Sequence, residues 1–421
     1  MKTFAFKRTK KESFFFAAMK IDHLEVVNLH FEYPKSKQFA SCSGPCTSRV
    51  TSLVLVHADT GLTGVGSVYS HPGLVYLIVK HQIEPMIRGR DPSDIEKLWS
   101  HMYSLTRWYG RKGAAMSAIG GVDTALWDLL GKAQGKPVWS LLGGQRSACP
   151  AYASGLLWND PEALASEAQR HLEQGFRRMK MRLGRSEAYD TTAVRAVRNV
   201  IGPSRKDGSG NDLIVDASMR YDVDLARRIG KVLEENGIFW FEEPFEPEQV
   251  DKFVALRGTV NVPLAAGENE FGLQGFDELI RVKAVDIVQP DASRCGGVSE
   301  VRRVAAKAEN ANIRVAPHTW SDAVAVLANA HVVAALKNGV TVEVDRTGNP
   351  FIDRLLVEPL HVQEGLLQLG NAPGLGVELD LAVVDEFRMS DPLTIPEGHY
   401  SDFIFGPQFH QPVGPYQREN G

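Results

Sequence analysis

The sequence predicts an α/β protein, a modified (β/α) TIM barrel under an α+β capping domain. Two observations carry this expectation. Past Cys149, strand-like apolar runs alternate with helical stretches, and the runs begin at residues 151, 178, 213, 238, 263, 287, 314 and 341. Eight such beats are the number that closes a TIM barrel. Ahead of that rhythm, residues 19–148 read as strands followed by helices, the pattern of a separate α+β unit. A chain of 421 residues is long enough for about two domains.

The cap begins with alternation. Lys20 to Phe31 and Val50 to Val56 read as strands, and Asp59-Thr-Gly61 is a hairpin signal leading to a return strand from Thr63 to Val68. Helical stretches follow from Leu74 to Ile87, Pro92 to Leu105 and Gly113 to Gln134. The last places Ala115, Ile119, Val122, Ala125 and Leu129 at helical spacing. Gly64-Val-Gly66 lies inside the hairpin rather than between a strand and a helix, so it is no dinucleotide loop. The eighth barrel beat lacks a clear helix, and Leu360 to Asp380 returns to hairpin patterning.

Composition excludes several classes. The chain is 43% hydrophobic and 23% charged with a net charge of −4, an ordinary globular balance without the basic surplus that nucleic acid requires. No apolar run is long enough to span a bilayer, and four cysteines make no disulfide scaffold. Cys42 and Cys46 lack a second pair for zinc, so all four are expected to be reduced thiols in a cytoplasmic protein. Residues 1–18 are basic, then briefly apolar, and read as a disordered extension before the first patterned strand.

A barrel puts its chemistry at the C-terminal ends of its strands. The third, fourth and fifth strands end at Asp216, Glu242 and Glu268, a constant spacing of 26 residues. Carboxylates one beat apart converge on one point, where they would repel unless a cation joined them. All-oxygen ligation favours Mg²⁺. The next two strands end at Asp291 and His318, again one beat apart. An Asp beside a His fixes its tautomer and raises its basicity, which makes His318 a candidate base.

These residues resemble the enolase superfamily, in its mandelate racemase-like group. The motifs are Gly121-Val-Asp-Thr-Ala-Leu-Trp-Asp128, Lys180-Met-Arg182, Asp216, Phe241-Glu-Glu-Pro244, Gly267-Glu-Asn269, Gln289-Pro-Asp291, Pro317-His318 and Pro373-Gly-Leu-Gly-Val-Glu-Leu-Asp380. The resemblance runs from Met19 to about Asp391. It implies a cap built from both ends of the chain: residues 19–148 as its N-terminal part, 149–350 as the barrel, and 351–421 returning to the cap. It implies Asp216, Glu242 and Glu268 as Mg²⁺ ligands, Asp291 and His318 as the base dyad, and Glu343 as an acid that hydrogen-bonds the substrate carboxylate. It also suggests a homo-oligomer.

One departure from the family pattern bears on the reaction. Many members carry Lys-x-Lys on the second strand, the second lysine being a base opposite the histidine. Here Arg182 takes that place, and an arginine does not readily give up its proton. Lys180 could serve if its cationic neighbour lowers its pKa. Arg182 reads as a clamp on the substrate carboxylate or a partner of a metal ligand. One good base favours dehydration of a sugar acid to a 2-keto-3-deoxy acid. An epimerase, racemase or lactone cycloisomerase is the alternative on the same scaffold, and a non-catalytic binding protein a second.

The substrate hints point to sugar acids. Arg107-Trp-Tyr-Gly-Arg-Lys112 is similar to a stretch of rhamnonate dehydratases, or else is a cap loop with Trp108 and Tyr109 packed on the barrel. Val344-Asp-Arg-Thr-Gly-Asn-Pro-Phe351 is similar to galactarolactone cycloisomerases. The cap loops His30 to Arg49 and His71 to Leu74 are expected to close over the distal hydroxyls.

Overall fold

The computed structural model describes residues 19–41, 44–204, 210–410 and 416. The extension expected at 1–18 lies outside the described residues, as does Cys42. The three described free cysteines, Cys46, Cys149 and Cys295, are buried. No described helix is long and apolar enough to cross a membrane.

Residues Ile21–Glu32, Ser48–Ala58 and Thr63–Val68 form a three-stranded antiparallel sheet. The helix Ala114–Gln134 lies across it, buried along most of its length. The close approach depends on glycine. A Cβ on Gly64 would come within 2.0 Å of the Ala125 carbonyl oxygen, and one on Gly66 within 2.1 Å of that of Gly121. The Gly-x-Gly pattern in the hairpin is therefore a packing device. Gly135, at φ 64°, ends the helix in the left-handed conformation.

Eight parallel strands follow: Ala148–Ser154, Arg178–Arg182, Asp212–Asp216, Phe241–Glu242, Leu264–Ala266, Ile287–Val288, Arg314–Val315 and Val342–Asp345. Each pairs with the next through the seventh, and the eighth pairs with the first. A bridge between Val315 and Gly339 joins the seventh to the chain entering the eighth. Helices of seven to fifteen residues follow the first seven strands. After the eighth strand comes only the short turn of helix Pro350–Asp353. Inside, Tyr152, Ile214, Trp240, Ala265, Ile287 and Ala316, in or beside the first and the third to seventh strands, make a small cluster.

The chain after the barrel touches both halves. Leu366–Gln368 pairs antiparallel with the start of the first barrel strand. Leu29 bridges Arg388, and the Met389 N–H donates to the Asn28 carbonyl. Asp128, in the long cap helix, accepts from the N–H groups of Val65 and Leu375, at 2.9 and 2.8 Å. Asp322, beyond the seventh strand, accepts from the Thr51 and Ser67 hydroxyls of the cap sheet. The Arg49 guanidinium reaches Asp345 at the end of the eighth strand, 2.7 Å away. Cap and barrel are thus joined by buried carboxylates with their hydrogen bonds made.

Candidate active site

Asp216 and Glu242 close the third and fourth strands, and Glu268 lies two residues past the fifth. One oxygen from each lies within 4.8 Å of the other two. Lys180 is fully buried and lies 2.6 Å from Glu242 Oε1 and 2.8 Å from Glu343 Oε1. Its Nζ is 3.8 Å from Asp216, which also pairs with Arg182. Glu242 accepts a further bond from Trp240 Nε1 at 2.8 Å.

The charges divide unevenly. Burial opposes ionisation of Glu242, but Lys180 and Arg182 outweigh it and bring that carboxyl down to about 2. Burial pushes Glu268 up, and its Oε2 is buried without a hydrogen-bond partner. An oxygen left bare beside two other carboxylates fits a hard divalent cation, which would complete its bonding and relieve the repulsion.

Burial likewise acts against the charge of Lys180, yet Glu242 and Glu343 overcome it and raise the amine above its ordinary value. Arg182 pulls in the expected direction but is outweighed. The lowered lysine considered from sequence is therefore not found: two carboxylates in contact decide the sign. Glu343 takes a bond from the Thr319 N–H at 2.9 Å. Burial works against its ionisation, but Lys180 and His318 hold its carboxyl below the usual range.

His318 Nδ1 is 2.9 Å from Asp291 Oδ2. Asp291 is fixed in turn by Ser293 and by Asn329 Nδ2, which also reaches the His318 carbonyl and the Thr319 hydroxyl. Burial disfavours the imidazolium, but Glu268 and then Asp291 raise His318 to about 9. A cation on Glu268 would cancel the first of those attractions.

One cavity is lined by Arg182, Asp216, Glu268 and His318. Lys180, Glu242, Asp291 and Glu343 are buried and do not line it. Backbone strain gathers at the same mouth, with Leu156, Ser218, Met219 and Glu243 all at positive φ. Glu243 lines the cavity and accepts from Asn269 Nδ2 at 3.0 Å. Burial, with Glu268 and Glu242 nearby, pushes its carboxyl well up.

Sequence reasoning passed over several groups. Trp320 lines the cavity with its ring 5.4 Å from the Arg182 guanidinium and 4.4 Å from that of Arg49. Its place two residues past His318 was a usable signal. Asn329 was visible as a lone amide in an apolar helix. Of the two cap loops expected over the substrate, Phe39 supplies a lining residue. His71 instead caps the helix Pro72–Ile78, accepting from the Leu74 N–H. Ser401 and Asp402 line the cavity from far down the chain, with no local pattern to announce them. Trp108 and Tyr109 are 81% and 59% exposed, which goes against the alternative in which they pack on the barrel. Lys112 of that loop does meet the barrel, 2.7 Å from Glu270.

An α+β cap over a parallel barrel with this arrangement of groups at its mouth is the enolase superfamily architecture. The chain belongs to the mandelate racemase / muconate lactonizing enzyme family: residues 37–143 match its N-terminal domain and residues 163–383 the enolase C-terminal domain-like family. It is 34% identical over 374 residues to D-galactarolactone cycloisomerase of Agrobacterium fabrum, covering 86% of this chain and 97% of that protein. Arabinonate dehydratase of Saccharolobus solfataricus is 32% identical over 339 residues, 79% of this chain and 89% of that one. The crystal structure of L-talarate dehydratase from Polaromonas sp. JS666, complexed with Mg and L-glucarate, superposes with a TM-score of 0.77. It is 28% identical and covers 89% of this chain and 98% of that one.

Proposed function

We propose that this chain is a magnesium-dependent sugar-acid dehydratase that removes the proton α to a carboxylate and yields a 2-keto-3-deoxy acid. The observation that carries this reading is the bare oxygen of Glu268 beside Asp216 and Glu242, in the cavity that His318 also lines. Relatives named as sugar-acid dehydratases support the substrate class.

In this reading Asp216, Glu242 and Glu268 hold Mg²⁺. Bound there, the ion stabilises the negative charge that grows on the substrate carboxylate as the α-proton leaves. Asp291 holds His318 by Nδ1, which leaves Nε2 for the α-proton. The proton His318 then carries is available to the departing β-hydroxyl. Arg182, a permanent cation at the cavity wall, positions the substrate and balances Asp216. Lys180 and Glu343 neutralise one another behind the metal ligands. In this account residues 19–148 form the cap and the described chain past residue 351 returns to it, and the enzyme works as a cytoplasmic homo-oligomer in carbohydrate catabolism.

A second reading, cycloisomerisation of a sugar lactone begun by the same proton removal, is favoured by the 34% identity to D-galactarolactone cycloisomerase. Incubating the protein and Mg²⁺ with a panel of aldonates, aldarates and their lactones decides between them. Formation of 2-keto acid from an open-chain acid supports dehydration. Consumption of a lactone without loss of water supports the second reading. No reaction across the panel overturns both.

A further inference from the structure

A hairpin near the end of the chain reaches into the cavity. Its strands are Gly398–His399 and Ile404–Phe405, and the Tyr400 N–H donates to the Phe403 carbonyl at 2.8 Å across the tip. The hairpin is fastened to the cap. Thr47 N–H donates to the His399 carbonyl at 2.8 Å, and His399 N–H to the Thr47 hydroxyl at 2.9 Å. It also rests on the barrel side, where Arg294 Nη1 lies 3.5 Å from Asp402. Arg294 is itself held by Asn269 Oδ1 at 3.2 Å and stacks over Tyr69 and Phe271. The tip residue Ser401 sits at φ 71°, a conformation a serine adopts at a cost, and next to it Asp402 is delivered to the cavity wall.

Asp402 therefore shares a cavity with Asp216, Glu268 and His318. Among the described residues that line it, the one arginine or lysine is Arg182, which Asp216 already engages. Arg294 stands against Asp402 without lining the cavity. A substrate carboxylate held at the metal ligands leaves the rest of the molecule to meet Asp402. Hydroxyl groups can donate to that carboxylate in charge-assisted bonds. A second substrate carboxylate would meet a like charge that Arg294 offsets only from outside the cavity.

We propose that Ser401 and Asp402 receive the hydroxylated end of the substrate, and that the enzyme selects acids with a single carboxylate, aldonates or lactonised aldarates, over open-chain diacids. The proposal rests on the sugar-acid reading above and narrows its substrate class. Asp402 acts by selection at the distal end of the substrate, and the metal ligands do not depend on it.

The test measures binding to the Mg²⁺-loaded full chain by calorimetry. The probes are D-gluconate and D-galactonate as monoacids, and D-glucarate and galactarate as diacids, with turnover followed in parallel. The wild type should bind monoacids tighter by roughly 10-fold or more. Asp402→Asn should weaken the monoacids and strengthen the diacids, because it removes the repelling charge and frees Arg294, while Mg²⁺ affinity stays unchanged. Ser401→Ala, which keeps the Arg294–Asp402 pair, should weaken monoacids less and leave diacids as they were. Equal binding of the two classes by the wild type, binding of neither, or a ratio unmoved in Asp402→Asn overturns the proposal. Selective binding of monoacids without conversion of any would instead overturn the dehydratase reading and keep this role for Asp402.

Discussion

The mouth of the barrel and the seam between barrel and cap are both rich in buried charge, and they use it in opposite ways. At the seam Asp128 is met by Val65, Leu375 and Lys132, and Asp345 by Arg49, Thr347 and Asn349, while Asp123 on the same long helix keeps one oxygen without a partner. At the mouth Asp216, Glu242 and Glu268 face one another, and one Glu268 oxygen is left bare. Two histidines repeat the contrast. His331 accepts from the Trp139 N–H and faces the Leu375 carbonyl, and burial lowers it to about 4. His318 is equally buried, yet the carboxylates around it raise it to about 9. Burial alone does not mark a functional group. Crowding of charged groups at one point does.

The largest expected effect comes from breaking the mouth. Glu242→Gln should abolish Mg²⁺ binding in calorimetry and cut turnover by roughly 10³-fold, several kcal/mol of transition-state stabilisation, with the fold intact by circular dichroism. Native metal affinity in that variant would move Glu242 from the mouth class to the seam class.

Breaking the seam should do the reverse. Asp128→Asn turns a donor-saturated acceptor into an amide that offers N–H to N–H. It should cost about 2–3 kcal/mol of stability in denaturant titration while activity per folded molecule is retained. Loss of activity without loss of stability would mean that the long cap helix shapes the cavity directly.

The smallest effects are pH slopes of opposite sign. His331 is depressed in the fold from its ordinary 6.5, so its contribution is whole above pH 6.5 and is lost as pH falls toward 4. His318 is raised, so in metal-free protein its contribution is whole below pH 6.5 and is lost as pH rises through about 9. Denaturation midpoints across pH should show His331→Gln flattening the acid limb and His318→Asn the alkaline limb. Added Mg²⁺ should shrink the alkaline slope, because the cation takes over the charge of Glu268.

Much of this was legible in the sequence because barrels are periodic. Strand beginnings expected at 178, 287 and 314 are where strands begin, and the others lie within a few residues. The same period brought Asp216, Glu242 and Glu268 to one point and Asp291 to His318. Contacts that no period governs were not legible. The sign of the Lys180 shift depends on two carboxylates in contact with it, one of them from the far side of the barrel closure. Asp402 reaches the cavity because Thr47 and Arg294 hold a hairpin almost at the chain end. That Trp108 and Tyr109 lie exposed depends on the path of their loop, which no period governs.

The central claim is that His318, held by Asp291, takes the α-proton of an acid bound at the three carboxylates. Hydrogen exchange at that carbon tests it most directly. In D₂O with Mg²⁺, proton NMR should show the wild type converting a sugar acid to a 2-keto acid, with the α-proton passing to solvent. His318→Asn should show neither conversion nor exchange, while still binding Mg²⁺ and the acid. Exchange at a near-native rate in His318→Asn would contradict the account and move the base to Lys180 or Arg182.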